Sequence, residues 1–208
     1  MELTTQSSKI SNFPSTSEFL PSPFQLDFYR AAFADNDTYP PSQRTSNIYE
    51  SAIYSFYLPI ALAMIICGFP VEKASPVDPN HYDLALDILL PLGEYAQIQS
   101  EYFDSRSGNL PKARSWCFDV VRTSGTPEQL ATLESYFGKQ DTTSQLHVRS
   151  VFADAGIDGR YSQYAEDACA RIGTLIDTLP EFRSPKGDAV LGRNVFRTLL
   201  EDIRSRTD

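Results

Sequence analysis

The longest apolar segment of the chain places the strongest constraint on its fold. Ser46 and Asn47 offer helix N-caps, residues 48–67 follow with apolar side chains on nearly every helical face, and Gly68 and Pro70 end the pattern. A helix that is apolar all round needs partners on several sides, because a surface helix keeps one polar face. The segment therefore predicts a helix buried within a bundle.

A second long helical pattern covers residues 81–104, and Pro91 within it predicts a kink. A loop is expected at residues 105–111, and then shorter helices at residues 113–123, 127–137, 142–155, 160–178 and 188–204. Thr126 and Pro127 have the chemistry of an N-cap followed by a first helical residue. No segment alternates apolar and polar residues for long enough to indicate a sheet. The sequence therefore predicts an all-α fold, a helical bundle.

The beginning of the chain has a different composition. Residues 1–23 are rich in Ser, Thr and Pro, which is typical of a flexible leader. Apolar residues at helical spacing indicate one short helix at residues 24–33. We therefore divide the chain into a leader at residues 1–45 and a helical domain at residues 46–208.

Charge and hydropathy exclude several classes of function. The formal net charge of -9 argues against a nucleic-acid groove, because phosphate binding depends on clustered Lys and Arg. The N-terminus has no basic region before an apolar core, so no signal peptide is predicted. The longest apolar run, residues 56–69, is broken by Pro59 and is too short to span a bilayer. These observations predict a cytoplasmic protein without a transmembrane segment.

The cysteines and histidines do not indicate a metal site or a disulfide framework. Cys67, Cys117 and Cys169 are odd in number, widely spaced and without a CxxC pair, which predicts reduced thiols. His81 and His147 are too few and too far apart for a zinc site. We predict that both histidines are surface or turn residues.

Several short motifs, taken in order, resemble the farnesyl diphosphate synthase family of the polyprenyl synthetases, in its fungal form. They are residues 54–64 (YSFYLPIALAM), 87–99 (DILLPLGEYAQIQ), 115–116 (SW), 126–129 (TPEQ) and 136–141 (YFGKQD). The shared order is far more specific than any single motif. The resemblance covers about residues 46–206. It implies that the bundle corresponds to the C-terminal part of the isoprenoid synthase fold.

The resemblance also implies a metal-dependent prenyl transfer for which this chain is poorly equipped. In the family, Mg²⁺ ions on two aspartate-rich motifs hold an allylic diphosphate, because the departing pyrophosphate gains negative charge. This chain contains no DDxxD, and its second motif reads SEYFD at residues 100–104. Glu101 and Asp104 share a helical face and are the candidate ligands for one Mg²⁺. The alternative is a pair of carboxylates on a solvated helix end.

The basic residues that bind diphosphate in the family are changed as well. A lysine–threonine pair before the YSFYLP helix corresponds here to Glu50 and Ser51, and a carboxylate at that position repels phosphate. Lys112 and Arg114 are the remaining candidates for binding substrate phosphate; the alternative is that they are ordinary surface charges. We therefore predict that the chain alone does not elongate prenyl diphosphates.

The candidate cavity is expected between the 48–67 and 81–104 helices. Gln97 matches a family glutamine near the reacting carbons, but Ala96 replaces the phenylalanine before it and should enlarge the cavity. Aromatic faces stabilise carbocations, so aromatic residues in this region are candidates for chemistry or for packing in the core. The candidate catalytic residues are Gln97, Tyr54 and Tyr57, and the candidate substrate-binding residues are Phe56, Tyr95, Ala96, Lys112 and Arg114.

Three functions are compatible with these patterns. The chain is a repurposed terpenoid enzyme that cyclises or isomerises an isoprenoid-type small molecule, a non-catalytic subunit of an active prenyl diphosphate synthase, or a decayed fragment. Decay should damage the apolar pattern as readily as the polar positions, and the apolar pattern is intact, which favours the first two. Uncovered apolar helix faces predict a homo-oligomer or a heteromer with a prenyl synthase.

Overall fold

The computed structural model describes residues 51–71, 80–107 and 115–206, and all of them fall within one compact unit. A π-helical turn, Ile53–Tyr57, leads into α1, Leu58–Ile66. The further helices are α2 (His81–Ser107), α3 (Trp116–Ser124), α4 (Pro127–Tyr136), α5 (Thr142–Asp154), α6 (Ile157–Thr178) and α7 (Arg193–Arg204). The all-α prediction is confirmed. The predicted leader, its helix at residues 24–33, and Lys112 and Arg114 lie outside the described residues.

The first long helix ends where the sequence predicted. Gly68 has a φ of 78°, a left-handed conformation that favours glycine, and its N–H donates to the Ile65 carbonyl at 2.8 Å. The Phe69 N–H donates to the Met64 carbonyl at 2.9 Å. The wider π-helical turn was not predicted, and it falls on the residues that begin the YSFYLP motif. Such turns re-aim side chains and often occur at functional positions.

Helix α2 is the central element, and it is longer than predicted. The predicted loop at residues 105–111 is wrong for Ser105 through Ser107, which continue the helix. Ser105 is buried, and its hydroxyl donates to the Tyr102 carbonyl at 2.6 Å, so the polar side chain is satisfied within the helix. Pro91 lies inside α2 and is buried. The helix packs against the π-helical turn and against α3, α6 and α7.

Capping residues explain why the middle helices begin where they do. Ser115 is the N-cap of α3, and its hydroxyl accepts from the Phe118 N–H at 3.4 Å. Thr126 and Gln129 form a reciprocal capping box at α4, and Asp141 caps α5 through the Ser144 N–H at 2.9 Å. These helices enclose one apolar cluster with α2, formed by Ile98, Tyr102, Cys117, Phe118, Val121, Leu133, Val148, Val151, Phe152, Ile157 and Tyr161.

A short hairpin overturns the predicted start of the last helix. Residues 188–204 were predicted as one helix, but strand β1 (Phe182–Arg183) pairs antiparallel with β2 (Val190–Leu191), and α7 begins only at Arg193. Gly187, with a φ of 73°, makes the turn, and the Ser184 hydroxyl donates to Asp188 at 2.7 Å. Two-residue strands leave almost no period-two pattern, so the sequence gives little sign of them.

The two histidines have different surroundings. His147 is exposed and stacks on the Tyr136 ring, as predicted. The prediction of a surface residue is wrong for His81, which is half-buried against the rings of Phe69, Tyr82 and Phe182. Burial lowers the pKa of His81, because the charged imidazolium loses its water.

The cysteines and the helix hydropathy add two observations. None of the three cysteines forms a disulfide: Cys67 is exposed, Cys117 is buried and Cys169 lies between these extremes. Within residues 51–71, 80–107 and 115–206, no helix is long and apolar enough to cross a membrane.

Candidate functional site

Gln97, Glu101 and Asp104 follow one another at helical-turn spacing and form a polar stripe on α2, and a hydrogen bond joins its first two members. The Gln97 side-chain amide donates to Glu101 Oε1 at 3.3 Å, as the spacing of one helical turn allows. Both side chains are half-buried, and Asp104, a further turn along, is exposed. The structure thus places Gln97 and Glu101 in contact, with Asp104 at the solvated end of the same face.

Glu101 also holds the start of α3. Its second oxygen, Oε2, accepts the backbone N–H of Trp116 at 2.6 Å, the first residue of that helix. The first N–H groups of a helix have no partner within the helix, and an anion there is stabilised by them. Glu101 and Ser115 therefore cap α3 together. The sequence does not show this role because the two residues are 15 positions apart, although the serine–tryptophan pair marks a helix start.

The described residues do not by themselves form a magnesium centre. Both oxygens of Glu101 accept a hydrogen bond from a protein N–H group, which lowers their negative charge density and so their affinity for an ion. Asp104, the other carboxylate of the predicted pair, is exposed at the surface. Across residues 51–71, 80–107 and 115–206 no three His, Cys, Asp or Glu side chains are grouped so that they would hold a metal. A magnesium ion prefers several carboxylate, phosphate or water oxygens.

The π-helical turn and α2 touch directly at Gly93. A Cβ atom built on Gly93 would lie 2.5 Å from Ala52 Cα and 3.3 Å from Phe56 Cδ2. Only glycine permits this approach, and it brings Phe56 against α2. Phe56 is half-buried and Tyr57 is 6% exposed, whereas Tyr54 is 64% exposed. The structure therefore separates Tyr54 from the two aromatic residues with which it was grouped.

Tyr95 and Ala96 are both buried in α2. Tyr95 lies beside Cys169 and Tyr161 of α6, and its burial is the main reason that the pKa of its hydroxyl is raised. Residues two positions apart on a helix point to nearly opposite sides, so Tyr95 and Gln97 lie on different faces. Tyr95 therefore does not join the stripe of Gln97, Glu101 and Asp104.

Tyr102 and Phe103, two further aromatic residues of α2, also lie on the α6 side. Tyr102 stacks on Tyr161 with ring centroids 3.8 Å apart, and Phe103 packs against the same ring. The Tyr102 hydroxyl donates to Asp158 at 3.0 Å. For these two residues the structure shows the packing role that the sequence left open.

Comparison with known proteins shows one family throughout. The chain is 37% identical over 171 residues to the farnesyl pyrophosphate synthase of Ganoderma lucidum, covering 76% of this chain and 46% of the relative. It is 32% identical over 154 residues to the farnesyl pyrophosphate synthase of Saccharomyces cerevisiae, covering 68% of this chain and 41% of the relative. The chain thus spans less than half the length of these curated relatives. No protein-family model matches the sequence.

The fold comparison agrees with the sequence comparison. The farnesyl diphosphate synthase of T. brucei, in a complex with the bisphosphonate BPH-721, superposes with a TM-score of 0.60 and 19% identity. The superposition covers 89% of this chain and 57% of that chain. The chain thus has the all-α isoprenoid synthase fold. Over the matched residues it belongs to the farnesyl diphosphate synthase family of the polyprenyl synthetases.

Proposed function

We propose that this chain acts in isoprenoid metabolism without elongating prenyl diphosphates by itself, and that it binds an isoprenoid-derived compound and cyclises or isomerises it. The observation that supports this most is the double engagement of Glu101, whose two oxygens accept from Gln97 and Trp116. A carboxylate at the position of a family metal ligand thus serves to join α2 to α3. A substrate held mainly by its hydrocarbon part suits such a site.

The residues next to this stripe suit a reaction with a positively charged carbon. With its amide nitrogen donating to Glu101, Gln97 would orient its carbonyl oxygen toward such a charge. Phe56 and Tyr57 would supply aromatic faces, which attract cations. Ala96 leaves space where the family has a ring. A catalytic role for Tyr54, at 64% exposure, would need a partner to cover it.

The test is incubation of the purified chain with farnesyl and geranylgeranyl diphosphate, and with the corresponding alcohols, followed by mass spectrometry. We expect a rearranged product of unchanged carbon number, and we expect Gln97→Leu to lower its yield about tenfold through loss of one oriented dipole. Gln145→Leu is the matched control, since the Gln145 amide donates within its own segment, to the Gln140 carbonyl at 3.3 Å. Equal effects of the two variants, or no conversion of any of these compounds, would contradict the proposal.

We propose that Mg²⁺ has a minor role, limited to Asp104 and to whatever phosphate a substrate carries. Each Glu101 oxygen already accepts one N–H group, which lowers its negative charge density and weakens its interaction with an ion. Product yield should therefore change less than about threefold between chelator and millimolar Mg²⁺. A strict requirement for Mg²⁺ that Glu101→Gln and Asp104→Asn both remove would instead assign the two carboxylates as its ligands.

A second proposal, association with another chain, is supported by the surface of α1. Leu62 is 55% exposed and Ile66 is 85% exposed, one helical turn apart on the same face. We propose that this face binds a second copy of the chain or an active prenyl synthase. Light scattering should show an assembly that Leu62→Asp with Ile66→Asp dissociates, while Leu146→Asp, at a 62% exposed leucine of α5, leaves it intact. A monomer at micromolar concentration, alone and mixed with a prenyl synthase, would refute it.

The compartment is also a proposal. Three cysteines without a disulfide between them fit a reducing environment. We therefore propose a cytoplasmic location, which imaging of a tagged chain in cells would check.

A further inference from the structure

The face of α2 opposite the polar stripe borders a cavity of about 510 Å³. Tyr95, Gln99 and Phe103 follow one another at helical-turn spacing along α2 and form one wall. Cys169 of α6 forms part of a second wall. Arg204, the last residue of α7, and Arg206, two residues beyond it, lie on the third side. Cavities of about 300–1,000 Å³ commonly hold small organic ligands.

The inner part of the cavity is fixed in place. Tyr95 is 2% exposed, lies beside Cys169 and Tyr161, and contacts the Tyr164 ring at a centroid distance of 6.4 Å, so packing holds it in place. Gln99 is 3% exposed, and its amide donates to the Ile203 carbonyl at 3.0 Å, which holds the end of α7 over α2. A cavity with rigid walls loses little entropy when a ligand binds.

The charge of the cavity differs from that of the whole chain. Arg204 and Arg206 line its rim, and Glu166 is the one carboxylate among the lining residues. Within the described part of the chain, neither guanidinium has a carboxylate oxygen within 4 Å. The net charge of the protein is -9, whereas the cavity is lined by two arginines and one glutamate, so its rim is locally positive. Guanidinium groups bind carboxylate and phosphate through paired N–H donors.

We propose that this cavity binds a small amphiphilic anion. Its carboxylate or phosphate lies between Arg204 and Arg206, and its apolar part packs against Tyr95 and Phe103. The site is separate from the Gln97–Asp104 stripe, because the two occupy opposite faces of α2. The proposed anion site is therefore independent of the proposed chemistry, and a test of one does not decide the other.

Cys169 makes binding measurable, because its thiol lines the cavity while Cys67 is exposed elsewhere. The probes are octanoate and octyl phosphate, with octanol and inorganic phosphate as controls that carry only one half of the required chemistry. Reaction with a thiol reagent is followed at each cysteine by peptide mass spectrometry. Octanoate or octyl phosphate should slow labelling of Cys169 about fivefold or more at saturation, with Cys67 unchanged, and the controls should do so much less.

Variants locate the anion. Arg204→Gln with Arg206→Gln should raise the Kd of the amphiphile about tenfold, as expected for losing a charged hydrogen bond, while Arg183→Gln on the exposed hairpin should not. Ala170→Trp, which fills the rim, should abolish protection in a chain that still melts cooperatively. Protection of Cys169 that survives both changes would overturn the proposal, as would a failure of both octanoate and octyl phosphate to protect it. A difference in Kd between the two probes identifies the preferred headgroup.

Discussion

The two faces of α2 differ in their match to the family motifs and in the helices that they contact. One face carries the residues that match the family motifs: Gly93, Gln97, Glu101 and Asp104. On this face Gly93 packs against Ala52, and Glu101 accepts hydrogen bonds from Gln97 and from the first residue of α3. The opposite face, with Tyr95, Gln99 and Phe103, holds α6 and α7 and borders a cavity. A motif match therefore identifies a position in the fold, and only the contacts at that position show how the residue is used.

The largest effect is expected where the first face meets the π-helical turn. Gly93→Ala should lower the free energy of unfolding by about 3 kcal/mol, because the new methyl group meets Ala52 backbone atoms. Gly173→Ala in α6 is the matched control; its Cβ meets no atom within 4 Å, and it should raise stability by about 0.5–1 kcal/mol. Urea unfolding measures both. Equal effects at the two glycines would mean that α2 does not approach the turn as described.

The next effect concerns Glu101. Glu101→Ala should cost about 2 kcal/mol, since the Trp116 N–H loses its charged acceptor and Gln97 loses its partner. Asp104→Ala, on the same face but exposed, should change stability by less than about 0.5 kcal/mol. Hydrogen exchange should show the loss localised to the first turn of α3. If the two alanine variants were equally stable, Glu101 would not be a structural cap.

The smallest effect compares one glutamine from each face. Gln99→Met removes a buried donor to the Ile203 carbonyl and should cost about 1 kcal/mol, with faster exchange in α7. Gln97→Met removes a longer, half-buried bond to Glu101 and should cost about half as much. A larger loss of stability in Gln97→Met than in Gln99→Met would contradict this comparison of the two faces.

The helices were largely predictable because their signals are local. Thr126, Gln129 and Asp141 cap the helices that follow them, and Gly68 ends α1, all within a few residues along the chain. The hairpin was missed because its strands have two residues each. Predicting the capping role of Glu101 and the contact of Gln99 with Ile203 needs knowledge of which distant segments meet, and periodicity does not supply it. The difference in exposure between Tyr54 and Tyr57 depends on the same knowledge.

The most direct test of the central claim is an elongation assay with the purified chain. Isopentenyl diphosphate and geranyl diphosphate are supplied with Mg²⁺, and formation of farnesyl diphosphate is followed by mass spectrometry. Because Glu101 accepts hydrogen bonds from Gln97 and Trp116 and binds metal weakly, we predict no farnesyl diphosphate above the level without protein. Formation that depends on Mg²⁺ and is abolished by Glu101→Gln would show that this carboxylate still binds metal, and would contradict the account.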